Sequence, residues 1–208
     1  MNRISASDAN SVAIETARRR IAEAQTRLEV SDDLIRRCDC RFFLKQIGIV
    51  REHNLLESWL MGNRNGTVST LTHILDLAIE MAQADFGNIQ LFDPAECGLR
   101  IAASRGLSGE FLEYFAVVRS SDSACALAMQ QNSRVIVSDV GNDPCFNSES
   151  REVVLRAGAL AVQSTPIISS SGRMLGMLST HRRVRGKPPL ASLLLLDRLA
   201  RRTATVLE

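Results

Sequence analysis

The sequence predicts an α+β fold: a central antiparallel sheet of about five or six strands with helices packed on it, preceded by a helical segment. Three observations carry that expectation. Apolar residues recur at helical spacing over several long stretches, shorter segments alternate apolar and polar letters with the period of a strand, and two pairs of those segments are joined by tight-turn residues. Strands joined so closely must pair antiparallel, because a parallel pair needs a long crossover.

From Ala9 to about Val30, Ile14, Ile21 and Leu28 stand seven apart with Ala17 and Ala24 between them. That a/d seam lasts barely three heptads, so it suits intramolecular packing as well as a dimer. "SDD" at 31–33 offers an N-cap and first-turn acids for a second helix through Ile35, Cys38, Phe42, Phe43 and Ile47 towards Leu60. "GNRNG" at 62–66 interrupts the pattern and marks a boundary between a helical segment, 1–65, and a domain, 66–208.

In that domain Leu71, Ile74, Leu75, Ala78 and Ala82 form the apolar stripe of a helix, with His73, Asp76 and Glu80 opposite. "FGNIQLFD" and "LRIAAS", separated by "PAECG", read as a strand pair. Short helices are expected at "GEFLEYF" and "SACALAMQ", then a strand at "RVIVSDV" and a helix from about Glu149 to Ala157 capped by Ser148. "LAVQSTPIIS" and "RMLGMLSTHRR" form a second hairpin through "SSG", where Gly172 supplies a positive φ. A last helix runs from about Leu190 to Leu207. Its apolar stripe is Leu193, Leu196, Ala200 and Ala204 and its polar stripe Arg198, Arg201, Arg202 and Thr205; Leu190 and Leu194 fall outside both, as a second contact surface would require.

Bulk composition excludes several classes of function. A net charge of +2, from 25 basic and 23 acidic residues, creates no field towards nucleic acid. The arginines at 182, 183, 185, 198, 201 and 202 lack the interleaved aromatics of a nucleic-acid surface. No signal peptide or membrane span is present in the letters, which points to a cytoplasmic protein with no membrane partner. Five cysteines, at 38, 40, 97, 125 and 145, form no CxxC pair, which argues against a disulfide framework and against a zinc ribbon. His53 and His73 sit on helices without partnered acids and read as surface residues.

"ADFGNIQLFDP", "LRIAASRGL", "FLEYF", "SDSACALAM", "VIVSDVGNDPCF" and above all "AGALAVQSTPIISSSGRMLGMLSTH" resemble, in order and with matching spacing, the GAF domains that accompany bacterial histidine kinases and related signalling proteins. The resemblance covers about 66–208. It implies a regulatory module: a GAF-like antiparallel sheet of about six strands, helices on one face, a pocket for a small ligand or chromophore on the other, and terminal helices that dimerise and pass signals along the chain. The expectation is a bacterial, stand-alone sensory protein that binds an unidentified small molecule and acts as a homodimer or through a separate kinase or other signalling protein. A ligand-free interaction module is the plainer alternative. Two departures stand out: Ala126 replaces the glycine that usually follows "SAC", and the residue set by which some GAF domains bind cyclic nucleotides is absent.

Within that frame, strand alternation nominates a polar ligand-binding set. Ser179 and His181 share a face with Leu175 and Met177, Gln163 and Thr165 share one on the partner strand, and Asn88 and Gln90 share one on the first strand. Cys125 joins the set through the resemblance. A rival enzymatic reading comes from a GAF subfamily similar to free methionine sulfoxide reductase, in which one thiolate attacks the sulfoxide and a second cysteine resolves the intermediate. Cys145 and Cys125 fall near the positions that enzyme uses, although its tryptophan-bearing strand is absent and "VQSTPI" stands where its acidic substrate-binding pattern would be. "DPCF" spells a bilin-domain motif, yet no cysteine follows Cys145 to carry the pigment, so bilin is not expected as a cofactor. Neither His181 nor Cys125 has companion ligands nearby in sequence, which argues equally against haem and metal.

Overall fold

The computed structural model describes residues 65–119 and 122–208. The proposed helical segment, 1–65, and its heptad lie outside the described residues apart from Asn65. Helix α1, Asn65–Ala82, buries the expected stripe, with Leu71, Ile74, Leu75, Ala78 and Ala82 at most 1% exposed, and leaves His73, Asp76 and Glu80 outward. Strands β1, Phe86–Asp93, and β2, Gly98–Arg105, form the first hairpin, its turn held by Asp93 Oδ1 accepting from the Ala95 amide at 3.0 Å.

Helix α2, Gly109–Tyr114, is capped by Ser108, whose hydroxyl accepts from the Phe111 amide. Strand β3, Val117–Val118, is the sixth strand that the periodicity left uncounted, since two residues cannot display an alternation; it pairs with β2 at Leu99 and Arg100. Helix α3, Ala124–Gln131, opens on Ser123 and ends at Asn132 in the left-handed region, φ 49°. Strand β4, Val135–Val137, is shorter than "RVIVSDV" suggests. Asp139 explains the early stop: its carboxylate accepts from the Gly141 amide at 3.0 Å and from Asn142 Nδ2 at 2.9 Å, which turns the chain away from the ladder.

Helix α4, Ser148–Arg156, is capped by Asn147 and not by Ser148, the Asn147 carboxamide oxygen accepting from the Ser150 amide at 2.8 Å. Asparagine caps as well as serine, and the first residue able to reach that amide wins. Strands β5, Ala161–Ile168, and β6, Met174–Arg182, form the second hairpin, with Gly172 at φ 81° as expected. Helix α5 is Leu190–Leu207; Leu190 is 71% exposed and Leu194 half-buried.

The six strands lie in the order β3-β2-β1-β6-β5-β4, every pairing antiparallel. Helices α1 and α5 pack side by side on one face. Helices α2, α3 and α4 and their loops cover the other, around a core of Phe86, Phe111, Phe115, Phe146, Val154, Val162 and Met177. The sheet is therefore buried on both sides, and β1, β5 and β6 have no solvent face along most of their length.

Candidate functional site

Between the sheet and the α2–α3–α4 layer lies a cavity of about 20 Å³, with room for roughly one water molecule. Its floor is polar: Asn88 and Gln90 from β1, Ser164 from β5, and Ser179 and His181 from β6. Its roof is Phe111 and Phe115 from α2 and the turn after it, Phe146 from the β4–α4 loop, and Ala124 and Cys125 from the start of α3. The antiparallel register brings the floor together, because Asn88 lies opposite Ser179 and Ser179 opposite Ser164.

The floor's hydrogen bonds are incomplete. Ser164 and Ser179 pair through their hydroxyls at 2.8 Å. His181 Nε2 lies 3.0 Å from Asn88 Oδ1. The carboxamide oxygen only accepts, so Nε2 carries the proton and Nδ1 is left as a bare acceptor with no partner. Gln90 is 0% exposed, and neither its Nε2 nor its Oε1 has a partner. Buried polar groups are almost always satisfied in folded proteins, so three orphaned atoms on two residues of one cavity lining mark it out.

Burial also holds the His181 imidazole at about 4, well below its ordinary value of 6.5. The ring stands edge-on to Phe111 at 5.4 Å, with Phe86 behind it at 6.1 Å. The folded protein thus refuses a proton that the unfolded chain accepts below about pH 6.5. This contribution to stability is fully present above pH 6.5 and is lost as pH falls from there towards 4, at a cost of up to about 3 kcal/mol. Urea unfolding at about pH 7.5 and about pH 5 should show the wild type losing more stability than His181→Gln. Equal losses would assign the pH dependence to other groups.

Of the residues nominated from the sequence, Asn88, Gln90, Cys125, Ser179 and His181 line this cavity. Gln163 and Thr165 lie on the opposite face of β5. Gln163 Nε2 donates to Thr180, Thr165 donates to Gln163 Oε1 at 2.8 Å, and Thr165 accepts from Arg134 Nε at 3.0 Å, beneath α5. Arg134 continues to the Leu193 carbonyl at 2.7 Å and to an ion pair with Asp197. The β5 residues that do face the cavity are Val162 and Ser164, of which Ser164 is the polar one. The phenylalanines of the roof and Ser123 were also missed, because they come from short helices and loops whose docking follows from the tertiary fold alone.

Cys125 lines the cavity, and Cys145 does not, although both thiols pack against the same core. Cys125 Sγ lies 3.2 Å from Ser123 Oγ, and burial raises its pKa. Cys145, in the β4–α4 loop, is pushed up to about 12, first by burial, then by its hydrogen bond to Asp143, that residue's charge, and Cys125. A nucleophilic thiol needs the reverse, a depressed pKa. The loop itself is stapled by Arg151, which donates to the carbonyls of Val140, Asp143 and Phe146. Among the described residues, no group of three or more His, Cys, Asp or Glu is arranged to hold a metal ion, and no helix is long and apolar enough to cross a membrane.

Comparison with solved structures returns the same architecture. A domain of a putative two-component sensor histidine kinase from Sinorhizobium meliloti 1021 superposes with a TM-score of 0.54 at 22% identity, covering 64% of this chain and 85% of that one. The GAF domain region of a putative membrane protein from Geobacter sulfurreducens PCA gives 0.58 at 21% identity, covering 70% and 96%. The free methionine-R-sulfoxide reductase of Neisseria meningitidis, solved with its substrate, gives 0.56 at 18% identity, covering 73% and 83%. At these identities the likeness concerns the fold alone. No curated protein matches the sequence. The model of the family described as "GAF domain" matches residues 67–207, the whole of the sheet and its covering helices, and the chain belongs to that family.

Proposed function

We propose that the chain is a sensory, regulatory module whose cavity takes a small molecule and whose output passes through a homodimer or a separate signalling partner. One observation carries the reading: a floor of five polar side chains, three of whose buried atoms lack partners, under an apolar roof built from short helices and a loop. Burying a polar group unpaired is destabilising, and a bound ligand that pairs with it removes that cost. Native mass spectrometry of the full chain after gentle purification tests this. A bound mass beyond the chain's own, lost on unfolding, supports the sensory reading; a bare mass together with no stabilising compound in a broad thermal-shift screen leaves a pure interaction module.

The dimer rests on the exposed Leu190 and half-buried Leu194 of α5 and on the sequence spacing of Ile14, Ile21 and Leu28. Light scattering at tens of micromolar should return twice the chain mass; a monomer removes this part of the proposal.

The reductase alternative draws its support from Cys125 and Cys145, which pack against the same core, and meets an electrostatic obstacle. A thiol pushed up to about 12 is almost wholly protonated at neutral pH. Wild type and Cys145→Ser are therefore expected to show the same negligible consumption of free methionine sulfoxide in the presence of thioredoxin. Turnover by the wild type that the variant lacks would reinstate the enzyme.

A further inference from the structure

We propose that the cavity is built for a small uncharged molecule bearing a primary amide or urea group, which pairs head to head with the Gln90 carboxamide and gives its remaining N–H to His181 Nδ1. This rests on the sensory reading above and specifies the chemistry of its ligand. The orphaned atoms are one donor, Gln90 Nε2, and two acceptors, Gln90 Oε1 and His181 Nδ1. Their complement is one acceptor and two donors, the inventory of a primary carboxamide. One water can bridge the two ends of the Gln90 amide only through bent bonds, whereas a second amide does so through two parallel, near-linear ones.

Charge narrows the class further. Among the described residues lining the cavity there is no Asp, Glu, Lys or Arg. An anion or a cation would be stripped of its water with no counter-charge to meet it, which apolar surroundings penalise heavily. An anion could enter only by forcing a proton onto His181, and its binding would then strengthen steeply with falling pH. The Ser164–Ser179 pair offers neutral dipoles, and Phe111, Phe115 and Phe146 cover the ligand's apolar remainder. Because the present volume admits about one water, the roof must move outward as the ligand enters.

Propionamide, propionate and propylammonium share a skeleton and differ in charge. Titrated into the full chain and followed by the Gln90 side-chain amide and His181 imidazole nitrogen signals in NMR, propionamide is expected to shift both, with an affinity independent of pH between about 6 and about 8. Gln90→Met removes both Gln90 partners, retains an apolar side chain of similar length and should weaken binding at least about tenfold. Binding of propionate or propylammonium in preference to propionamide overturns the amide assignment and leaves the sensory reading standing. If propionamide moves neither signal the assignment also falls. If a wider thermal-shift screen then finds no stabilising compound, the sensory reading falls separately.

Discussion

Gly176→Ala is expected to be the most damaging of the glycine-to-alanine substitutions among the described residues. Gly176 of β6 lies opposite Leu91 of β1, and a Cβ built there would stand 2.3 Å from the Gln90 carbonyl oxygen and 3.3 Å from the Gln90 carbonyl carbon and from Leu91 Cα. All three are main-chain atoms in the middle of a six-stranded sheet, so no side chain can swing aside; the β1–β6 ladder itself must part. Overpacking of this kind costs about 3 kcal/mol or more, a fall in Tm of roughly 10 °C for a domain of this size. Because the displaced residue is Gln90, the cavity floor should be disturbed as well. Gly66→Ala, at a helical position with nothing within 4 Å of the new methyl, serves as the control and should be neutral or slightly stabilising. Calorimetry on the two variants decides the matter: a Gly176→Ala domain that melts with the wild type would mean that β1 and β6 are held farther apart than the structure shows.

The second large effect has the opposite sign. Gln90→Met should raise the stability of the unliganded protein, by about 1–3 kcal/mol, because it replaces a fully buried, unpartnered carboxamide by an apolar chain of similar length among phenylalanines and valines. Equilibrium urea unfolding with an unchanged slope would measure it directly. A loss of stability at unchanged slope would show that the amide is satisfied in solution. On the proposed function, stability and binding would be set against each other at one residue, as is common where a site is held ready for something that is not part of the fold.

The contrast between helices and strands explains how much of this was legible in the letters. The α1 stripe and the bounds of α5 could be read directly, because each helix presents one face to the sheet and the other to water, and polarity separates the two. The family resemblance added the sixth strand's place in the count, though Val117–Val118 has no signature of its own. For the site, Asn88, Gln90, Ser179 and His181 were readable as polar letters in strongly apolar strands. The face of β5 was not. Val162 and Ser164 look one way, Gln163 and Thr165 the other, and both sides of that strand are buried, so neither alternation nor polarity distinguishes cavity from helix layer. Only the pairing register, Ser164 against Ser179, makes the choice. Cys145 was legible as a reductase-like position beside Cys125, but its burial next to Asp143 is a product of how the β4–α4 loop folds back under Arg151.

That same alternation on β5 has a mechanical meaning. Ser164 belongs to the cavity floor, while its immediate neighbour Thr165 is gripped by Arg134, which also holds the Leu193 carbonyl and Asp197 on the last helix. One peptide unit joins the two. On the proposed function, a displacement of the floor at Ser164 would reach the first half of α5 through one planar bond and one guanidinium, so that filling the cavity would become a push on that helix.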